Sequence, residues 1–196
     1  MKPLVMGVTG ASGAPYARRL AQCLAAQDLQ LHLIVSPPAQ RIMASELGLG
    51  EFSLEAFLGR PAENVTVHPY HDVGAPIASG SFLTAGMVIC PCSSHSLATI
   101  AHGLGDNLVT RVAMVTLKER RRLVLVPREM PLSGIQIENM LTLSRAGAIV
   151  CPACPGFYMM PTSVDELIDF VVGRVLDLFE LPHNLDTRWP PTGDVE

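Results

Sequence analysis

Five apolar, strand-like runs, at 4–8, 31–35, 86–90, 123–126 and 148–151, recur along this chain with helix-patterned stretches between them. A strand that shows one face to water alternates apolar with polar residues. A strand covered on both faces has no reason to, and continuous apolar runs joined through helices specify a parallel sheet with helices on either side. The expected architecture is therefore a doubly wound α/β fold with a mostly parallel sheet, Rossmann-like or flavodoxin-like in layout. The helices are expected at 14–27, 39–47, 96–104, 107–121 and 134–146. A last helix opens on a capping box made by Ser163 and Glu166, and it places Leu167, Ile168, Val171, Val172, Val175, Leu176 and Phe179 on one face as far as about residue 181. Between 49 and 82 the pattern weakens, with one short strand at 65–68. A single domain over 1–181 and a polar, proline-rich tail over 182–196 follow, the tail either loose or draped over a neighbouring subunit.

Composition narrows the class of partner. Of 196 residues 48% are hydrophobic and only 16% charged, yet no apolar run approaches the length of a bilayer span, so the excess apolar surface points to contact between subunits of an oligomer. A net charge of −4, without an aromatic–basic pattern, argues against nucleic acid and for a small ligand. The chain passes from Met1-Lys2-Pro3 straight into a strand with no leader pattern, which gives a cytoplasmic expectation. Five cysteines, an odd number, read as reduced thiols. Cys90, Cys92, Cys151 and Cys154 have spacings that zinc could use, but each pair sits where a buried strand runs out, where thiols are common. No metal is expected.

In an open α/β sheet ligands gather at the carboxyl ends of the strands, so the turns there carry the functional information. After the first strand comes Thr9-Gly10-Ala11-Ser12-Gly13, whose amides, with the following helix N-terminus, can hold an anion, or which is simply a tight strand-to-helix turn. It departs from the dinucleotide fingerprint, and the second strand ends on the hydroxyl of Ser36 instead of an acidic residue for a ribose. The third run ends in Ser93-Ser94-His95-Ser96 at a helix start, either competing N-caps or a second anion cradle facing the first. His95 is given no metal role. The fourth is followed by Pro127-Arg128-Glu129-Met130-Pro131, a proline-stiffened loop able to aim a charged pair at a ligand or merely to hold a surface ion pair. After the fifth, Phe157 and Tyr158 stand between prolines, Tyr158 being the better site candidate because its ring has a polar end. Arg111, Lys118, Arg120, Arg121 and Arg122 form one basic segment, mostly a solvated helix face, although Arg111 and Lys118 lie two turns apart and could meet one phosphate.

The segments GVTGASGAPYA, CPCSSHSLATIAHGLGDNL, LKERRRLVLVPREMPLS and PGFYMMPTS together resemble the UbiX family of flavin prenyltransferases, within the larger group of homo-oligomeric flavin-containing cysteine decarboxylases. The resemblance covers about residues 2–181. It implies a homododecamer in which FMN is both bound and consumed, a dimethylallyl group passing from its phosphate ester to N5 and C6 of reduced FMN. The product would serve a UbiD-type decarboxylase of aromatic acids. Carried over by position, Gly10, Ala11, Ser12, Ser36, Ser93, Ser94, His95, Ser96 and Arg128 would hold FMN. Tyr158 and Arg174 would contact the prenyl phosphate, and Lys118, Arg111 and Glu129 would belong to the charged cluster around it, with members drawn from neighbouring subunits. Glu46 matches an acidic residue near the flavin, and Ser12 is counted among the catalytic groups with a bias toward affinity.

The chemistry follows from the groups. Breaking an allylic C–O bond leaves a cation-like fragment and a phosphate, so Lys118, Arg111 and Arg174 would neutralise the departing charge. Glu129, if raised by burial, would carry a proton. The flavin, with Trp189 or Phe157, would offer an aromatic face to the allyl cation, and phosphate or Glu46 would accept the proton lost at C6. Three positions depart from the family pattern: Ser94-His95-Ser96, Met114 and Met159-Met160. Two other readings share the fold. One is an FMN-dependent oxidative decarboxylase of a peptidyl cysteine, for which His71 and Asn107 are the available groups. The other is an FMN carrier without turnover.

Overall fold

The computed structural model describes residues 1–185, 187 and 188. Six strands form one all-parallel sheet: β1 (Leu4–Val8), β2 (Leu31–Val35), β3 (Val65–His68), β4 (Gly86–Cys92), β5 (Arg122–Pro127) and β6 (Ile149–Val150). Their spatial order is β3-β2-β1-β4-β5-β6. The chain winds outward from β1 through β2 to β3, then returns across β1 to build β4, β5 and β6 on the other side. The direction of winding thus reverses between β1 and β4, which pair in register from Leu4↔Gly86 to Gly7↔Ile89.

Alternation sorts the apolar runs into two cores. Leu4, Met6, Val8, Val88, Cys90, Val124 and Val126 face one layer, made by α1 (Ala14–Ala25), α2 (Pro37–Leu47), α3 (Leu54–Leu58) and α7 (Val164–Leu178). Val5, Ile34, Met87, Ile89, Leu123 and Leu125 face the other, made by α4 (Ser94–Ala101), α5 (Leu108–Lys118), the 3-10 turn Pro76–Ala78 and, at Leu143, α6 (Gly134–Arg145). The runs are apolar on both faces because both are used, His32 in β2 being the half-buried exception.

The boundaries differ from expectation where a cap decides them. Ser36 accepts from the Ala39 amide, so α2 starts at Pro37, with proline in the first turn where its missing N–H costs nothing. Ser93 wins the competition among the hydroxyls of its turn and starts α4 at Ser94, two residues early. The helix expected over 107–121 stops at Lys118. Arg120 then turns at φ 55°, Arg121 donates to the carbonyls of Gly80 and Phe82, and Arg122 already lies in β5. The box expected at Ser163 is displaced: Ser163 accepts from the Glu166 amide, but the Glu166 carboxylate bonds the amide and hydroxyl of Thr162, one residue earlier. A complete reciprocal box stands instead on α6, between Ser133 and Gln136. Helix α3 and the 3-10 turn were not foreseen in the weakly patterned segment. Of the tail, His183 and Arg188 both engage Asp177 on α7, and Thr187 packs buried against Gly173.

Candidate functional site

The reversal between β1 and β4 brings two strand-end turns together. The Thr9 hydroxyl donates to the Pro91 carbonyl at 2.9 Å and accepts from the Ser93 amide at 2.7 Å, stitching the turns side by side. Above this seam lies a cavity of about 460 Å³, within the usual range for small-molecule sites. The β1 turn lines it with Gly10, Ala11 and Ser12, and β2 contributes Ser36. The β4 turn adds Ser93 through Ser96, and the loop after β5 adds Arg128 and Glu129. All nine residues expected to hold a flavin therefore share one cavity. The N-termini of α2 and α4, each capped by a serine, open at its wall and favour negative charge there. A Cβ on Gly10 would sit 2.5 Å from the Cβ of Pro38, so the β1 turn can lie against α2 only as glycine.

One anion position expected from the sequence is already taken. Helix α1 has no cap from its own side chains, and its first amides, Gly13 and Ala14, donate at 2.9 and 2.8 Å to the carboxylate of Glu46, which reaches over from α2. Desolvation pushes Glu46 up, but bonds from Ser12, Gly13 and Ala14, with the charge of Arg128, outweigh it and hold the carboxyl below its ordinary value. Glu46 is thus a fixed anion one step behind the cavity and does not line it.

Arg128 donates from Nε to the Ser12 carbonyl at 3.1 Å, tying the β5 loop to the β1 turn. Glu129 accepts from the Ser94 hydroxyl at 3.1 Å. Within one chain Glu129 is exposed, so the burial invoked for it is absent there. Four further expected residues lie outside the cavity. Arg111 and Lys118 are exposed on α5, the latter paired with Glu119 at 2.5 Å, and Arg174 is exposed on α7 and paired with Asp177. Tyr158 is 46% exposed and packs edge-on against Phe170. Several large apolar side chains also face outward on the single chain, with Met130 87%, Met160 80%, Ile135 73% and Phe157 70% exposed. Trp189 lies outside the described residues.

The groups available to a cysteine decarboxylase have other occupations. Asn107 is buried and caps α5 by accepting from Thr110, while His71 is exposed beside the ring of Tyr70. Burial pushes the Cys92 thiol up to about 12 and the Cys90 thiol higher still, as expected of core thiols at a strand end. Among the described residues no three His, Cys, Asp or Glu side chains converge on a point, and no helix is long and apolar enough to cross a membrane. Sequence reasoning missed Tyr70, Pro38 and Ile42, which also line the cavity. Tyr70 sits in the irregular segment where no periodicity marks it.

Comparison with known proteins gives a consistent neighbourhood. The model of the family described as Flavoprotein matches residues 1–176. A protein of Alkalihalophilus pseudofirmus named flavin prenyltransferase UbiX is 47% identical over 193 residues, covering 96% of both chains. The crystal structure of AnUbiX (PadA1) in complex with FMN and dimethylallyl pyrophosphate superposes with a TM-score of 0.89 at 40% identity, covering 98% of this chain and 99% of that one. A dodecameric FMN-dependent UbiX-like decarboxylase from Escherichia coli O157:H7 gives a TM-score of 0.88 at 44% identity, covering 96% and 100%.

Proposed function

Because this chain belongs to the Flavoprotein family and, within it, to the UbiX flavin prenyltransferases, we propose that its cavity holds reduced FMN and that the enzyme joins to it a dimethylallyl group delivered as a phosphate ester. The observation that carries this reading is the gathering at one strand-order reversal of two serine-capped helix N-termini, the glycine turn and the Arg128–Glu129 pair. The residues suit a flavin phosphate: Ser36, Ser93 and Ser96 offer hydroxyls, and the missing Cβ of Gly10 keeps the turn seated low on Pro38. When bound and reduced, FMN supplies the nucleophilic N5 and C6 positions.

The protein's part is electrostatic and positional. Arg128, anchored on the Ser12 carbonyl, fixes a cation at the cavity wall. Lys118, Arg111, Arg174 and Tyr158 are exposed on a single chain, and in a homododecamer they reach the prenyl phosphate from neighbouring copies. The E. coli relative described as dodecameric and the large apolar side chains left exposed on one chain support this assembly. These cations offset the charge left on the phosphate as the C–O bond breaks, which is where such groups lower a barrier most. Glu129 carries a proton to that phosphate. Glu46, held as an anion on the α1 amides, is the poorer acceptor for the proton lost at C6, and the departing phosphate is the better one. No metal takes part. The product passes to a UbiD-type decarboxylase of aromatic acids, and the enzyme works in the cytoplasm.

The test is anaerobic incubation with reduced FMN and either dimethylallyl monophosphate or diphosphate, followed by mass spectrometry of the released flavin. A flavin heavier by one prenyl unit is expected, formed about 100-fold more slowly by Glu129→Gln. FMN bound yet unmodified with both esters would overturn the reading in favour of a carrier.

A further inference from the structure

The side chain of Gln136, on the first turn of α6, reaches two partners at once. Its Oε1 accepts from the Ser133 amide at 2.7 Å, which closes the capping box and fixes the orientation of the amide group. Its Nε2 therefore faces Ser94 and donates to that hydroxyl at 2.6 Å. A hydroxyl that accepts from an amide has its own proton left to give, and Ser94 gives it to Oε2 of Glu129 at 3.1 Å. The chain Ser133 N–H, Gln136, Ser94, Glu129 is thus polarised in one direction and ends on the carboxylate that lines the cavity. With Gln136 the other way round, the bond from the Ser133 amide would fail and the Ser94 hydroxyl would be drawn to the amide oxygen, away from Glu129. The cap sets the amide, the amide sets the hydroxyl, and the hydroxyl sets the carboxylate.

We propose that Gln136 is a positioning residue for the prenyl transfer, acting through Ser94 to hold the Glu129 carboxylate on the cavity side of its loop. Gln136 is absent from the cavity lining, so its part is to position and not to contact. Its contribution rests on the reading of Glu129 as the proton carrier. The relay is also what secures an exposed carboxylate on a loop, since no ion pair to Glu129 is found among the described residues.

The experiment compares Glu129→Gln, Gln136→Glu, Ser94→Ala, Ser94→Thr and the double variant Ser94→Ala/Gln136→Glu in anaerobic prenylation, each over a range of pH. Gln136→Glu is the informative change, because a carboxylate still accepts from Ser133 and preserves the cap, but it presents an acceptor to Ser94 where there was a donor. The hydroxyl then turns from Glu129 toward residue 136. The expected result is about a 10-fold fall in kcat with the KM for the prenyl ester unchanged, an unaltered melting temperature, and a shift toward higher pH of the limb of the pH–rate profile that reports Glu129. The shift arises because a second carboxylate across the shared hydroxyl disfavours negative charge on Glu129. Arg128, His95 and Tyr70, the other ionisable groups lining the cavity, are the same in every variant. Ser94→Ala should match that loss, the double variant should be no slower than Ser94→Ala alone, and Ser94→Thr, which keeps a hydroxyl, should recover most of the rate. If Glu129→Gln is impaired while Gln136→Glu keeps the parent rate and profile, the relay is wrong and the role of Glu129 stands. If Glu129→Gln itself is as fast as the parent, both fall.

Discussion

Replacing Glu46 separates a structural anion from a catalytic one. Its Oε2 accepts both the Gly13 and the Ala14 amide, the pair that α1 cannot satisfy from its own sequence because the N-cap is glycine. In Glu46→Gln an oxygen can still accept both bonds, so only the charge is lost. A charge-assisted bond exceeds a neutral one by about 1 kcal/mol, and partial exposure keeps the total near that figure instead of twice it. In Glu46→Ala the acceptor goes as well, and the loss resembles removal of an N-cap with its favourable helix-end charge, about 2 kcal/mol. For a chain of this size these correspond to about 3 °C and about 6 °C in melting temperature. The assay is thermal unfolding at fixed protomer concentration, repeated from pH 7 to pH 3. Because the folded-state pKa of Glu46 lies below its ordinary value of 4.5, its contribution is complete above that value and is lost as pH falls through the folded one. The gap between parent and Glu46→Gln should therefore be open at pH 7 and narrow as pH falls below 4.5 through the folded-state value. Equal melting temperatures at pH 7, or a gap that persists unchanged in acid, would refute the assignment of Glu46 as the cap of α1.

Two further outcomes can be checked directly. Gly10→Ala would bring a methyl to 2.5 Å from the ring carbon of Pro38, which cannot rotate away, so the β1 turn must lift; FMN affinity by fluorescence titration is expected to fall at least 10-fold, with about 2 kcal/mol lost in stability. His32 Nδ1 and His68 Nε2 share a hydrogen bond of 2.9 Å across β2 and β3, and desolvation, reinforced for His32 by the neighbouring His68, holds both below their ordinary 6.5. The unfolded chain then takes up protons that the folded one refuses, so the urea midpoint should decline as pH drops below 6.5, and His68→Gln should flatten that slope even though Asp72 partly opposes the shift. An identical slope in the variant would show that the pair does not titrate as described.

The strands were legible because burial on both faces leaves no ambiguity of period: Val5 and Met6 point into different cores and are both fully buried. The cavity was legible for a related reason, since each of its turns follows directly on a strand and consists of residue types that end strands and start helices. What could not be read depends on docking between elements. Glu46 sits 33 positions from the amide it caps, and only the packing of α2 beside α1 brings it there. Gln136 reads as an ordinary residue of a first helical turn until α6 lies against α4. Arg111, Lys118 and Arg174 carry the right charges but face outward on one chain, and the convergence proposed for them would be a property of assembly that no local pattern expresses.

The seam under the cavity has a consequence for how the enzyme comes into being. Thr9 and Ser93 are 84 residues apart, and Arg128 lies 116 from the Ser12 carbonyl it holds. Closing a flexible segment of the first length costs about 4 kcal/mol of chain entropy before any contact rewards it. No fragment ending before β4 contains the whole of the proposed flavin site, and none ending before β5 contains Arg128. Flavin capture should therefore be a late event in folding and should stabilise only the finished molecule. Recovery of flavin binding during refolding would lag the return of helical signal and time the closure of the sheet's centre.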